Sequence, residues 1–224
     1  MVYLDHAAAT PLDPLVWDKM RPLLTKEFAN PGAIYRSGVR AKDFIEEARR
    51  RAAAVLGAHQ DEIIFTGSGT EANNLAIFGS AWAREAIRGK HIITTAIEHA
   101  SVFEPCRELA KNGWQATYLP VDKFGLVDLE QFKKAITPQT TLVSIMSTNN
   151  EIGTVEPIEE IGKLIRRINK ERGAAGLPTI YFHTDAAQAA AWLDLNVNRL
   201  NVDLLTLNAS KIYGPKGVGL LYKR

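Results

Sequence analysis

An α/β fold built on a largely parallel sheet, covered by helices on both faces, is what this sequence predicts, and three observations carry the prediction. Short apolar runs alternate along the chain with longer stretches patterned for helices. A glycine-containing turn, Thr66-Gly67-Ser68-Gly69, joins one such run to a helical stretch. Polar residues with distinctive chemistry fall repeatedly just after the apolar runs, and in such sheets ligands sit beyond the carboxyl ends of the strands.

The elements follow in order. Glu62-Ile63-Ile64-Phe65 reads as a strand, and a helix runs from Thr70 to about Ile87. His91 to Thr95 is a strand, with a helix from about Ser101 to Asn112 behind it. Ala116 to Leu119 is strand, Leu129 to Ile136 helix, and Thr141 to Met146 strand. Ile158 to Glu171 is helical, Thr179 to His183 and Asp203 to Leu207 are strands, and Gly219 to Tyr222 is the last strand. Arg49-Arg50-Arg51 sits inside a helical pattern and reads as a solvated helix face. No internal repeat or low-complexity segment is visible.

Composition narrows the function classes. With 224 residues, 46% hydrophobic and 23% charged, the chain has the make-up of a globular protein able to bury one substantial core. A net charge of +2 with no dense Lys/Arg run gives no reason to expect nucleic acid. No apolar stretch is long enough to cross a membrane, and the first residues lack a signal-peptide pattern. The single cysteine, Cys106, excludes an internal disulfide and fits a reducing compartment, so a cytoplasmic location is expected.

Lys211, in Asn208-Ala209-Ser210-Lys211-Ile212-Tyr213-Gly214-Pro215-Lys216-Gly217, and Asp185, in His183-Thr184-Asp185-Ala186-Ala187-Gln188, read together as the electronic handles of a pyridoxal-phosphate site. A lysine forms a Schiff base with the aldehyde, and a buried aspartate holds a proton on the pyridine nitrogen. The turn before Thr70 reads either as a phosphate cradle at a helix N-terminus or as a plain turn capped by Ser68 or Thr70. It is neither a Walker loop nor a dinucleotide fingerprint. His99 follows a strand and opens a helix; it can lie on an aromatic cofactor and move protons, although spacing alone favours a cap or loop histidine. Asn149-Asn150 either bonds a ring hydroxyl or stabilises a turn. No metal site is expected.

In this order the motifs resemble the cysteine desulfurases of the class V aminotransferase superfamily. The resemblance runs from Tyr3-Leu4-Asp5-His6-Ala7-Ala8-Ala9-Thr10-Pro11, where the family often has a second threonine in place of Ala9, through Asn30-Pro31 and Thr70-Glu71-Ala72-Asn73-Asn74. It continues with Glu98-His99, Asn149 to Gly153, Asp185 to Gln188 and Lys211 to Gly217. It implies a three-layer fold-type I large domain with a mostly parallel mixed sheet over residues 16–224. Residues 1–15 would belong with a small domain. It also implies pyridoxal 5'-phosphate as cofactor and a homodimer with the site near the subunit interface. The implied reaction takes L-cysteine to L-alanine and hands sulfur to a cysteine persulfide, with a sulfur-acceptor or scaffold protein as a further partner and iron–sulfur cluster assembly as the setting.

Residue by residue, the resemblance implies that Lys211 carries the cofactor and moves the α-proton, Asp185 pairs with the ring nitrogen, and His99 stacks on the ring and takes part in proton transfer. Gln188 and Asn150 would bond the ring oxygen or its surroundings, and Gly69 and Thr70 would hold the phosphate. Asn208 and Ser210 stand where the family usually has a serine and a histidine; both offer phosphate a hydrogen bond and neither offers a cation. The family's sulfur-accepting cysteine and its carboxylate-gripping arginine lie beyond the segment that matches these residues, so the chain alone is expected not to be catalytically complete. Cys106, on the helix after His99, is expected to be a buried, inert thiol. A selenocysteine lyase, another class V aminotransferase, or a non-catalytic binding or dimerisation remnant are the alternative readings.

Overall fold

The computed structural model describes residues 2–83 and 89–224. One sheet contains β1 (Ile63–Thr66), β2 (His91–Thr95), β3 (Gln115–Leu119), β4 (Thr140–Ser144), β5 (Tyr181–Asp185), β6 (Leu204–Asn208) and β7 (Gly219–Lys223). Their spatial order is β1-β7-β6-β5-β4-β2-β3. β7 runs antiparallel to both of its neighbours, and all the other neighbouring pairs are parallel. The α/β class with a mostly parallel, mixed sheet is therefore the observed one.

Consecutive residues of a strand face opposite sides of a sheet, so a strand covered on both faces reads as an unbroken apolar run. Ile93, Val143, Leu205 and Leu220 pack into a core with Leu56, Phe132 and Ile161. Those three come from α2 (Arg36–Leu56), α5 (Leu129–Ala135) and α6 (Ile158–Ala174). Their sequence neighbours Ile92, Leu142, Leu204 and Leu221 pack on the other face, against Ala76, Ile77, Val102 and Cys106. These belong to α3 (Gly69–Ala83) and α4 (Ala100–Lys111). Three layers result. The helix read from Thr70 starts at Gly69, and the part of that reading from 84 to 87 lies outside the described residues.

Two strands differ from their sequence-based bounds for local reasons. β5 begins at Tyr181 rather than Thr179, because the Asn169 amide occupies both backbone groups of Ile180: Ile180 N–H donates to Asn169 Oδ1 at 2.8 Å, and Asn169 Nδ2 donates to Ile180 O at 2.8 Å. β4 ends at Ser144 rather than Met146, yet the chain stays beside β5, with Ile145 N–H on His183 O at 3.1 Å and Ser147 N–H on Asp185 O at 2.8 Å.

The helix α1 (Pro14–Thr25) was not foreseen. Asp13 caps it by accepting from Leu15 N–H at 2.7 Å, with proline in the first turn, but none of its residues is buried. Ahead of it, the chain crosses to the segment after β6: Thr10 N–H donates to Ser210 O at 2.9 Å, and Tyr213 N–H donates to Thr10 Oγ1 at 2.7 Å. The short α7 (Val197–Leu200) completes the helices of the described residues.

Candidate cofactor site

Because β1, β2, β4, β5 and β6 are mutually parallel, their carboxyl ends open on one side of the sheet, and the segments following them line a cavity of about 590 Å³. Gly69, Thr70, His99, Asn150, Asp185, Gln188, Asn208, Ser210 and Lys211 all line it. The farthest apart of these nine in sequence, Gly69 at the start of α3 and Lys211 after β6, are 142 positions apart and are thus brought to one place.

At one end the turn after β1 opens α3. Ser68 caps the helix, accepting from Glu71 N–H at 3.1 Å, and Glu71 reaches back to Gly67 N–H at 2.7 Å. This reciprocal cap consumes the donors of Gly67 and Glu71, while the amides of Gly69 and Thr70 belong to the first-turn donors that a helix leaves free for an anion. Ser68 therefore acts as the cap, and Gly69 and Thr70 line the cavity. The fit here is close. A Cβ on Gly69 would stand 3.1 Å from Asn208 Cβ, and one on Gly219 of β7 would fall 2.3 Å from the Ser68 carbonyl carbon, so the turn lies on a strand position that accepts only glycine.

β6 delivers the lysine through a short 3-10 turn, Ala209–Lys211. Asn208 Oδ1 accepts from Ser210 N–H at 3.3 Å and from Ser210 Oγ at 3.2 Å, so these bonds use its carbonyl and not its amide N–H groups. Tyr213, just beyond, holds a left-handed φ of 60°, costly for a residue with a side chain, and its backbone is pinned by Thr10 and Asp13. Lys211 Nζ donates to Ala7 O at 2.8 Å and Ala8 O at 2.6 Å, and Gln188 Nε2 donates to Ala7 O at 2.9 Å.

Asp185 ends β5 in a buried position. Its Oδ1 accepts from Ala187 N–H at 3.0 Å and its Oδ2 from Asn73 Nδ2 at 2.7 Å. Burial pushes its carboxyl above the ordinary range, and the Ala187 and Asn73 donors with the nearby His99 and Lys211 charges pull it back. His99 is the N-cap of α4, its Nδ1 accepting from Ser101 N–H at 3.1 Å. The two asparagines after β4 divide the roles that the sequence left open. Asn149 builds the turn, accepting from Glu151 N–H at 2.8 Å and Ile152 N–H at 3.0 Å, while Asn150 lines the cavity.

Sequence reasoning missed Asn73, Ser101, Met146 and Thr148 in the cavity wall, the Ala7 and Ala8 carbonyls, and the role of Glu98. Glu98 Oε1 accepts from Met146 N–H at 2.9 Å and from Thr95 Oγ1 at 2.8 Å, joining the ends of β2 and β4 beneath the site. Burial pushes the Glu98 carboxyl from 4.5 up to about 8, those two donors offset part of the rise, and the Asp185 and Glu156 charges add to it. Between these values the unfolded chain is ionised here and the folded chain protonated, so stability falls as pH rises through that window, by about 1.4 kcal/mol per pH unit. Glu98→Gln is therefore expected to melt close to wild type near pH 5 and increasingly above it toward pH 8; parallel melting curves across that range would refute the assignment.

His183, on β5, serves the frame instead: it bridges Ser144 Oγ at 2.8 Å and Thr206 Oγ1 at 3.1 Å, and burial lowers it to about 3, so the ring is neutral. Among the described residues, no group of three or more His, Cys, Asp or Glu side chains is placed to hold a metal ion. No helix among them is long and apolar enough to cross a membrane.

A mostly parallel sheet thus brings a lysine, a buried aspartate and the start of a helix to one cavity. The model of the aminotransferase class-V family matches residues 2–224, and the chain belongs to that family. Its curated relatives carry a narrower name. The "Cysteine desulfurase IscS" of Dictyoglomus turgidum is 50% identical over 223 residues, covering 100% of this chain and 54% of the relative. The "Probable cysteine desulfurase, mitochondrial" of Dictyostelium discoideum is 47% identical over 224 residues, covering 100% of this chain and 47% of the relative. The chain thus spans about half the length of these relatives. Among solved structures, a "NIFS-LIKE PROTEIN" superposes with a TM-score of 0.93 at 36% identity, over 100% of this chain and 59% of that one. One described as "SspA in complex with cysteine" superposes with 0.92 at 42% identity, over 100% of this chain and 61% of that one.

Proposed function

We propose that these residues form the pyridoxal-phosphate-binding part of a cysteine desulfurase that takes L-cysteine to L-alanine and passes the sulfur to a thiol. The observation that carries the reading is the meeting of Lys211, Asp185, His99 and the Gly69-Thr70 cradle in one cavity. Two buried polar atoms among the described residues lack a partner beside it, Asn73 Oδ1 and Thr148 Oγ1, so the wall has polar capacity to spare for a polar ligand. The residues fit the cofactor: an anion cradle, a buried carboxylate for a ring N–H, a flat imidazole and a primary amine.

Bound there, pyridoxal phosphate supplies an electron sink for a substrate's α-carbon. The chain's own groups do the rest. The Gly69 and Thr70 amides, with Asn208 and Ser210, would hold its phosphate; Asp185 would keep its ring nitrogen protonated; Gln188 and Asn150 would bond its ring oxygen; and His99 would lie against the ring. Lys211, freed from the Ala7 and Ala8 carbonyls, would hold the cofactor through its amine and, once the substrate's amine has displaced it, would move the α-proton as general base.

Sulfur removal needs a thiolate beside the substrate's γ-sulfur. Cys106 is the one cysteine of the 224 residues. It is buried on α4, with its thiol pushed up to about 12 by burial and the Glu98 charge, so the acceptor thiol is supplied from outside these residues. We place the protein in the cytoplasm, consistent with an unpaired thiol, and as a homodimer, consistent with the exposed Trp17, Leu24, Phe28 and Ile34 around α1.

In deuterated water with pyridoxal phosphate and cysteine, the chain is expected to exchange the substrate's α-proton, and Lys211→Ala to slow this by roughly 10²–10⁴-fold. Cys106→Ala should leave exchange unchanged. Exchange that survives in Lys211→Ala would overturn the reading, and repeated sulfide release that vanishes in Cys106→Ala would make that thiol the acceptor.

A further inference from the structure

Asn73 is buried on the first turns of α3, and both of its amide hydrogens are directed: one to Asp185 Oδ2 at 2.7 Å, the other to Ser101 Oγ at 2.8 Å. Its own carbonyl oxygen has no partner among the described residues. Leaving a buried carbonyl unpaired is costly, so packing alone does not explain an asparagine whose N–H groups are both spent on one side. An amide nitrogen only donates, which fixes the sense of both bonds.

The remaining bonds follow from these. Ser101 Oγ accepts from Asn73, so its own hydrogen is available to His99 Nδ1, 2.7 Å away. The Ser101 backbone N–H points at the same nitrogen from 3.1 Å, and a backbone amide is a donor in every state. Two donors aimed at Nδ1 leave no room for a hydrogen there, so the neutral ring carries its proton on Nε2.

We propose that Asn73 and Ser101 are positioning residues that link Asp185 to His99 through hydrogen bonds and fix the His99 ring with Nδ1 as acceptor, so that His99 exchanges protons with the cavity through Nε2 alone. The proposal rests on reading the cavity as a cofactor site. It goes beyond that reading by assigning a tautomer to His99 and a task to two residues that act through others.

The test is nitrogen-15 NMR of the full 224-residue chain with ring-labelled histidine, without cofactor, the His99 signals being assigned by their loss in His99→Gln. The wild type is expected to show an unprotonated, pyridine-type Nδ1 and a protonated, pyrrole-type Nε2. Ser101→Ala should shift the Nδ1 resonance, Ser101→Thr should restore it, and Asn73→Leu should shift it too, although Asn73 makes no bond to His99. A pyrrole-type Nδ1 in the wild type would overturn the proposal, as would an Nδ1 unmoved by either loss of donor. If Asn73→Leu does not fold, the wild-type pattern and the Ser101 pair still decide. Correct ring signals in a chain that takes up no pyridoxal phosphate would instead contradict the cofactor reading and leave the relay standing.

Discussion

Asp185→Asn is expected to keep pyridoxal phosphate attached to Lys211 while slowing exchange of the substrate's α-proton by roughly 10²-fold or more, the scale on which a single preorganised electrostatic group acts. The reason lies at both oxygens of the carboxylate. Ala187 N–H donates to one and Asn73 Nδ2 to the other, so the carboxylate is held as an acceptor on both sides and its charge is free to stabilise a ring N–H. An amide carries no charge for that nitrogen, and its NH₂ must face one of the two donors. The mismatch adds a stability cost of about 1–3 kcal/mol, and thermal melting separates it from the loss of exchange. Normal exchange in a folded Asp185→Asn chain would refute the role.

The largest effect on stability is expected from Arg172→Met. Arg172 is buried at the end of α6 and is surrounded by backbone carbonyls rather than by a carboxylate. Its Nε donates to Pro178 O at 2.8 Å, one terminal nitrogen to Thr137 O at 2.9 Å, and the other to Pro138 O at 3.1 Å and Thr140 O at 2.8 Å. The guanidinium fork thereby ties the entry to β4 and the approach to β5 to one helix end, and burial lowers its pKa without removing its charge. Methionine fills comparable volume but strands those carbonyls, at a cost of about 3–5 kcal/mol, a large part of the stability of an ordinary domain. Chemical denaturation measures it; a loss under about 1 kcal/mol would mean that water satisfies the carbonyls instead.

Much of the frame was legible because strands covered on both faces leave an uninterrupted apolar signature, as at Ile92-Ile93 and Leu142-Val143. The place of β7 between β1 and β6, running against both, was not legible, since alternation carries no strand order. α1, none of whose residues is buried, was not read from the sequence. Of the residues singled out in the sequence at or just after strand ends, Lys211, Asp185, His99, Asn208 and the Gly69-Thr70 turn all line the one cavity. Asn73 was quoted within its motif but given no task, because its bond to Asp185 joins residues 112 positions apart and exists only once α3 lies beside β5. The carbonyls of Ala7 and Ala8 that hold Lys211 are backbone atoms and leave no mark in a sequence. The division of labour between Asn149 and Asn150 turns on which amide the turn consumes, which again needs the fold.

The central claim is that Lys211 is the attachment point for pyridoxal phosphate, and reductive trapping tests it most directly. The chain is incubated with the cofactor, reduced with borohydride, digested and mapped by mass. The geometry predicts a pyridoxyl group on the peptide carrying Lys211, absent from Lys211→Ala. Pyridoxyl on another lysine, with Lys211 unmodified, would contradict it.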